Sequence, residues 1–165
     1  MSIGVDESEG KPMSTTVSGE IRRRLHDEHK AMRVLQEELL ESFENFLVEP
    51  DEKNQESLHN LFREFASTLE RHFHFEEMEG YLPAVQERRP NRAPAVAKLR
   101  EDHAVVRAML TSMNLILLND LQSSVQLRRD FKDRFFELLD LLCRHEREER
   151  ELVMETFWLE GGVAG

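Results

Sequence analysis

Apolar residues along the chain recur at steps of three and four in four long stretches, and no stretch alternates with the period of a strand. The first stretch carries Ile21, Leu25, Met32, Leu39, Phe43 and Phe46, and predicts a helix from about Gly19 to Val48. Glu49-Pro50-Asp51 ends it, because proline disfavours helix at the residue before it. A second helix is predicted from Asp51 to Glu79, with Leu58, Leu61, Phe65 and Leu69 facing inward and Gly80 as its stop. Residues 80–94 hold three of the five prolines and read as the longest connection. A third helix runs from Pro94, well placed in a first turn, to Asn119, and a fourth from Ser124 to Leu159, ended by Gly161-Gly162. Four long helices joined by short links predict an all-α, up-down-up-down antiparallel four-helix bundle over residues 19–160. Residues 1–18, rich in Ser, Thr, Gly, Pro and acid, read as a flexible tail, and residues 161–165 as a short second one.

Polar residues interrupt these apolar seams. The third helix places Val96, Leu99, His103, Val106, Leu110, Met113 and Leu117 on one seam, with His103 its polar member. On the fourth, Phe131, Phe135, Leu138 and Leu142 lead into His145 and Glu149 before Leu152. The second continues into His72 and Glu76, and in the first Leu25 and Met32 bracket His29. A buried polar group without a partner costs about 1–3 kcal/mol and an ionised carboxylate more. Six of them would consume much of a net stability of about 5–15 kcal/mol. They must therefore satisfy one another, water or a metal.

Their heights agree. His29 lies 22 residues before a first turn centred on 51, and His72 lies 21 after it; His103 and His145 lie 20 before and 22 after a turn centred on 123. Equal distance from a turn is equal height in antiparallel helices, so the four histidines fall on one level. The glutamates lie one turn away, at i+4 from His72 and His145. An internal repeat reinforces the pattern: LHDEHKAMRVL (25–35) resembles LREDHAVVRAM (99–109), and RHFHFEE (71–77) resembles RHEREER (144–150). His29 thereby pairs with His103, Arg33 with Arg107, His72 with His145 and Glu76 with Glu149. Folded about a pseudo-twofold, the halves offer two metal positions, each with two imidazoles, bridged by two carboxylates. Imidazole with carboxylate suits iron, and two adjacent ions suit oxygen chemistry. The predicted ligand set is His29, His72, Glu76, His103, His145 and Glu149, holding two iron ions with an oxo or hydroxo bridge.

Charge and cysteine content narrow the setting. A net charge of -11 on 165 residues repels phosphate backbones and anionic membranes, so neither nucleic acid nor membrane is an expected partner. The one cysteine, Cys143, cannot form an internal disulfide, which points to a reducing cytoplasm. The first residues lack the basic start and apolar run of a secretory signal. Two residues before His145, Cys143 points off the seam and is expected to be a buried, inert thiol.

At these residues the chain resembles the hemerythrin-like, or HHE cation-binding, family over about residues 20–155. HFHFEE (72–77) resembles that family's H-F-x-x-E-E, Tyr81-Leu82-Pro83 its following Leu-Phe-Pro, and DEH (27–29) and EDH (101–103) its single-histidine helices. The resemblance implies a non-haem di-iron centre that binds or senses oxygen, nitric oxide or peroxide in a redox, iron or stress response. The alternatives are a di-iron oxidoreductase or iron-delivery protein, and a metal-free helical interaction module. Oxygen-carrying hemerythrins have a further histidine where this chain has Arg107, and an aspartate where it has Arg150; arginine cannot ligate iron. The symmetric set with two glutamates is therefore more similar to the sensing branches than to oxygen carriers.

Other polar residues are weighed beside these. His26 could substitute for His29, but Arg100 matches it in the repeat. His59 and His74 lie off the stripes and read as surface or packing residues. Glu77 reads as solvated or as supporting a ligand, and Tyr81 as packing. Arg33 and Arg107 are either surface charges or partners of nearby carboxylates.

Overall fold

The computed structural model describes residues 14–158, with side chains from residue 19. Four long helices, α1 (Ser14–Val48), α2 (Glu52–His74), α4 (Ala93–Leu117) and α5 (Val125–Phe157), form an antiparallel bundle; α3 (Tyr81–Arg88) is short. No strand occurs among the described residues. Asp51 caps α2, accepting from the Asn54 amide at 2.7 Å, and Ser124 caps α5, accepting from the Leu127 amide at 3.2 Å. Each cap satisfies an amide that the first helical turn leaves unpaired. Pro94 sits in the first turn of α4.

Two boundaries differ from the sequence expectation. The helix begins at Ser14, so residues 14–18 of the expected tail are helical; a polar composition does not stop a helix that is already propagating. The expected tails at 1–13 and 161–165, and the Gly161-Gly162 stop, lie outside the described residues. The connection at 80–94 is largely helical: α3 is followed by a 3₁₀ turn over Pro90–Arg92. Tyr81, Leu82 and Val85 form the buried face of α3, and Pro83 falls in its first turn, where a missing N–H costs little. Arg89 donates to the Glu155 carbonyl at 3.1 Å and Arg92 pairs with the Glu155 carboxylate, tying this segment to α5. On α2 the seam is Leu58, Phe62, Phe65 and Leu69, with Leu61 only half-buried.

The core divides into two apolar clusters. The larger runs from Leu39, Phe65 and Phe135 up to Met32, Phe73, Val106 and Leu142. The smaller joins Leu25, Phe75, Leu82, Leu99 and Leu152 under α3. Each fully buried Leu or Phe contributes about 1.5–3 kcal/mol. Between the clusters every long helix changes from apolar to polar at one level: His29 between Leu25 and Met32, His103 between Leu99 and Val106, and His145 with Glu149 between Leu142 and Leu152. Among the described residues no helix is long and apolar enough to cross a membrane.

Candidate metal centre

All six residues of the predicted set meet in this polar layer. His29 is 8% exposed and the other five between 0% and 3%, so His29 forms the edge of the cluster nearest to solvent. His72 and Glu76 come from the end of α2, which passes into a π-helical turn over Phe75–Glu79. Such wide turns recur at functional sites. Here one buries Phe75 and Glu76 in succession and half-buries Glu77. Gly80 closes the turn so tightly that a Cβ there would lie 2.8 Å from the Phe75 carbonyl oxygen.

The ring nitrogens face inward. His29 Nε2 lies 3.1 Å from His72 Nε2 and 3.1 Å from Glu149 Oε2, and His72 Nε2 lies 2.6 Å from Glu76 Oε1. In the other half His103 Nε2 lies 3.2 Å from His145 Nε2 and 2.8 Å from Glu76 Oε2, with His145 Nε2 at 3.7 Å from the same oxygen. Two groups of donor atoms result: His29, His72, Glu76 and Glu149, and Glu76, His103 and His145. Glu76 belongs to both, one oxygen turned to each. Glu149 belongs to one, so the halves are less symmetric than the repeat suggests. Both oxygens of Glu76 and of Glu149 are fully buried, with imidazole nitrogens as the polar groups that face them. Buried carboxylate oxygens beside four converging imidazoles are the donor set that a divalent cation requires.

A ring of carboxylates holds the imidazoles from behind. His72 Nδ1 donates to Glu28 at 2.6 Å, His103 Nδ1 to Glu77 at 2.7 Å, and His145 Nδ1 faces Asp102 at 3.4 Å. Such contacts fix the tautomer and turn Nε2 toward the centre of the layer. Glu28 and Asp102 carried no expected role in the sequence. Their signal was present in DEH and EDH: the acid before each histidine lies about 100° round the helix, on the side of the neighbouring helix. Glu77 takes the supporting place foreseen for it.

Arg107 donates to Glu70 at 2.8 and 3.0 Å and to Glu77 at 3.2 and 3.4 Å. It therefore reaches the layer through Glu77 rather than through Glu76 or Glu149. Arg33 pairs with Glu146 at 3.3 Å. Phe73 stacks on His103 at 4.0 Å, with the Arg107 guanidinium 5.5 Å from the same ring. His59 contacts Asn114 at 3.1 Å, and His26 and His74 are exposed. Cys143 is exposed, which corrects the expected buried thiol; two residues before His145 is about 200° round the helix, the side facing solvent. Tyr81 is fully buried beside the layer, and burial first, then the Glu149 and Glu76 charges, hold its hydroxyl well above the usual phenol range.

Proton affinities in the layer are displaced. Burial opposes charge on His72, but Glu28 and Glu76 outweigh it and raise His72 to about 10. His145 is raised in the same way, chiefly by Glu76 against burial. Burial would raise Glu76, yet hydrogen bonds from His103, His145 and His72 hold it well below the carboxylate range. Glu149 is raised to about 7 by burial and then by the neighbouring Glu76 charge. The two carboxylates are thus displaced in opposite directions, Glu76 toward the ionised form and Glu149 toward the protonated one.

Among known proteins, the family model of the hemerythrin HHE cation binding domain matches residues 20–157. No curated protein and no solved structure matches the chain.

Proposed function

The chain belongs to the hemerythrin HHE cation-binding domain family, and on that premise we propose that it holds two iron ions and uses them to bind or sense oxygen, nitric oxide or peroxide. The observation that carries this reading is the polar layer itself: four buried Glu oxygens, and four imidazole Nε2 atoms turned toward them. His29, His72, Glu76 and Glu149 would hold one ion, and His103, His145 and Glu76 the other. Iron bound there supplies one-electron redox chemistry and affinity for small diatomic or peroxide ligands.

The remaining roles belong to the chain. Glu28, Glu77 and Asp102 fix the ring orientations of His72, His103 and His145. Glu76, kept ionised, offers an oxygen to each group without first losing a proton. Met32, Phe73 and Leu142 on one side, and Leu25, Leu99 and Leu152 on the other, flank the layer with apolar side chains.

The test is metal content in single variants. His72→Ala and His145→Ala should each lower bound iron sharply, whereas His74→Ala and His59→Ala should leave it unchanged. Equal loss from His74→Ala and His72→Ala would contradict the assignment, because His74 faces solvent two residues further along the same helix.

A further inference from the structure

The two halves of the repeat differ at one point beside the polar layer. In one half, Arg107 holds Glu77, and Glu77 accepts from His103 Nδ1. In the other, Arg33 takes the place of Arg107 and His29 that of His103, but Arg150 stands where Glu77 would be. The arginine and the histidine are retained and the carboxylate between them is missing. Among the described residues no hydrogen bond reaches His29 Nδ1, and Arg23 and Arg150 have no ion-pair partner.

The space on this side is a cavity. About 450 Å³ opens between α1 and α5, with His29 and Glu149 in its inner wall. Arg23, Arg33 and Arg150 line it together with Val153, Met154 and Trp158. Four arginines, Arg22 with the three above, line one cleft of a chain whose net charge is -11. The wall combines guanidinium groups with apolar side chains, and Arg22 lies 5.3 Å from the Trp158 ring.

We propose that this cavity binds a small monocarboxylate with a short apolar tail, whose head group takes the place that Glu77 occupies in the other half. The carboxylate pairs with Arg150, flanked by Arg23 and Arg33, and accepts from His29 Nδ1; the tail lies along Val153, Met154 and Trp158. Guanidinium recognises a carboxylate by charge and by paired N–H donors, and a cavity with an apolar body and a few convergent polar groups suits a small ligand. Such binding goes beyond metal binding, and it stands on the cavity wall whether or not the layer is loaded.

Trp158 is the chain's only tryptophan, so its fluorescence reports occupancy directly. Full-length protein is titrated with octanoate, with octylammonium and 1-octanol as tail-matched controls, and stoichiometry is read by calorimetry. Metal content is measured on the same samples, so a chain that binds octanoate without two metals keeps this inference while losing the metal assignment. Octanoate should saturate at one per chain and bind at least about tenfold more tightly than either control, as expected when a charge-assisted hydrogen bond decides affinity. The Arg23→Gln/Arg150→Gln variant, folded by circular dichroism, should lose that preference. Absence of saturable octanoate binding, equal binding of octylammonium, or an unchanged affinity in the double variant would each overturn the proposal.

Discussion

Glu77 is the most consequential of the residues outside the proposed ligand set. It joins the His103 ring to the Arg107 guanidinium, and that guanidinium in turn lies over the ring of Phe73, on which His103 stacks. Glu77→Gln keeps the volume but weakens the acceptor for His103 Nδ1–H. Iron affinity measured by chelator competition should fall about 10–100-fold, the usual effect of losing such a supporting partner. Arg107→Ala should have a smaller effect in the same assay, because Glu77 keeps its contact with His103; a larger loss than in Glu77→Gln would mean that Arg107 contacts the centre by another route. The six inward residues were legible in the sequence because each breaks an apolar seam, the histidines at one height and the glutamates one turn from it. Glu28 and Asp102 were not, because a residue one step from the seam looks like any exposed acid until the neighbouring helix is in place. Cys143 misled for the converse reason: distance from the seam was correctly read, but its consequence was exposure rather than burial.

Among the elements, the segment from Phe75 to Arg92 has most influence on the layer, since it supplies Glu76, Glu77 and Tyr81 and covers the smaller apolar cluster. Its pivot is Gly80. A methyl group there would meet the Phe75 carbonyl at 2.8 Å and the Glu76 Cα at 3.2 Å, both backbone atoms that cannot swing aside. Gly80→Ala should destabilise the chain by about 1–3 kcal/mol, as overpacking does, and should lower iron content in parallel because Glu76 moves with the turn. At Gly19, in α1, an added methyl group would meet nothing within 4 Å, so Gly19→Ala should be neutral or stabilising by up to about 1 kcal/mol. Denaturant midpoints of the two variants provide the comparison. Long helices could be read from the sequence because their periodicity persists for many turns. The π-helical turn could not, since His72 and Glu76 have the same i, i+4 spacing that an ordinary helix would give them. Helix α3 was hidden by Pro83 and Pro90, which read as loop markers although the first sits in a helical first turn.

For the whole molecule, the polar layer makes stability depend on pH in opposite senses with and without metal. In the metal-free chain Glu149 rises from 4.5 to about 7 and His72 from 6.5 to about 10. Both bind a proton more tightly when folded. The Glu149 contribution is therefore complete below 4.5 and lost as pH rises through 7; that of His72 is complete below 6.5 and lost as pH rises through 10. Glu76, displaced downward, contributes above 4.5 and fails as pH falls. The melting temperature of chelator-treated protein should accordingly drop as pH rises from about 6 to about 10, whereas metal-loaded protein should weaken as pH falls, because protons compete with the ion for the same nitrogens. A metal-free chain insensitive to pH over that range would mean that the layer is not protonated as its geometry demands. The proposal that two iron ions share the Glu76 carboxylate is a matter of number as well as of place. Mössbauer spectroscopy of the oxidised, ⁵⁷Fe-loaded protein, with elemental analysis of the same sample, reads both at once. Two iron per chain are expected, in one antiferromagnetically coupled, diamagnetic pair; a single iron per chain, or two magnetically independent ions, would contradict the shared carboxylate bridge.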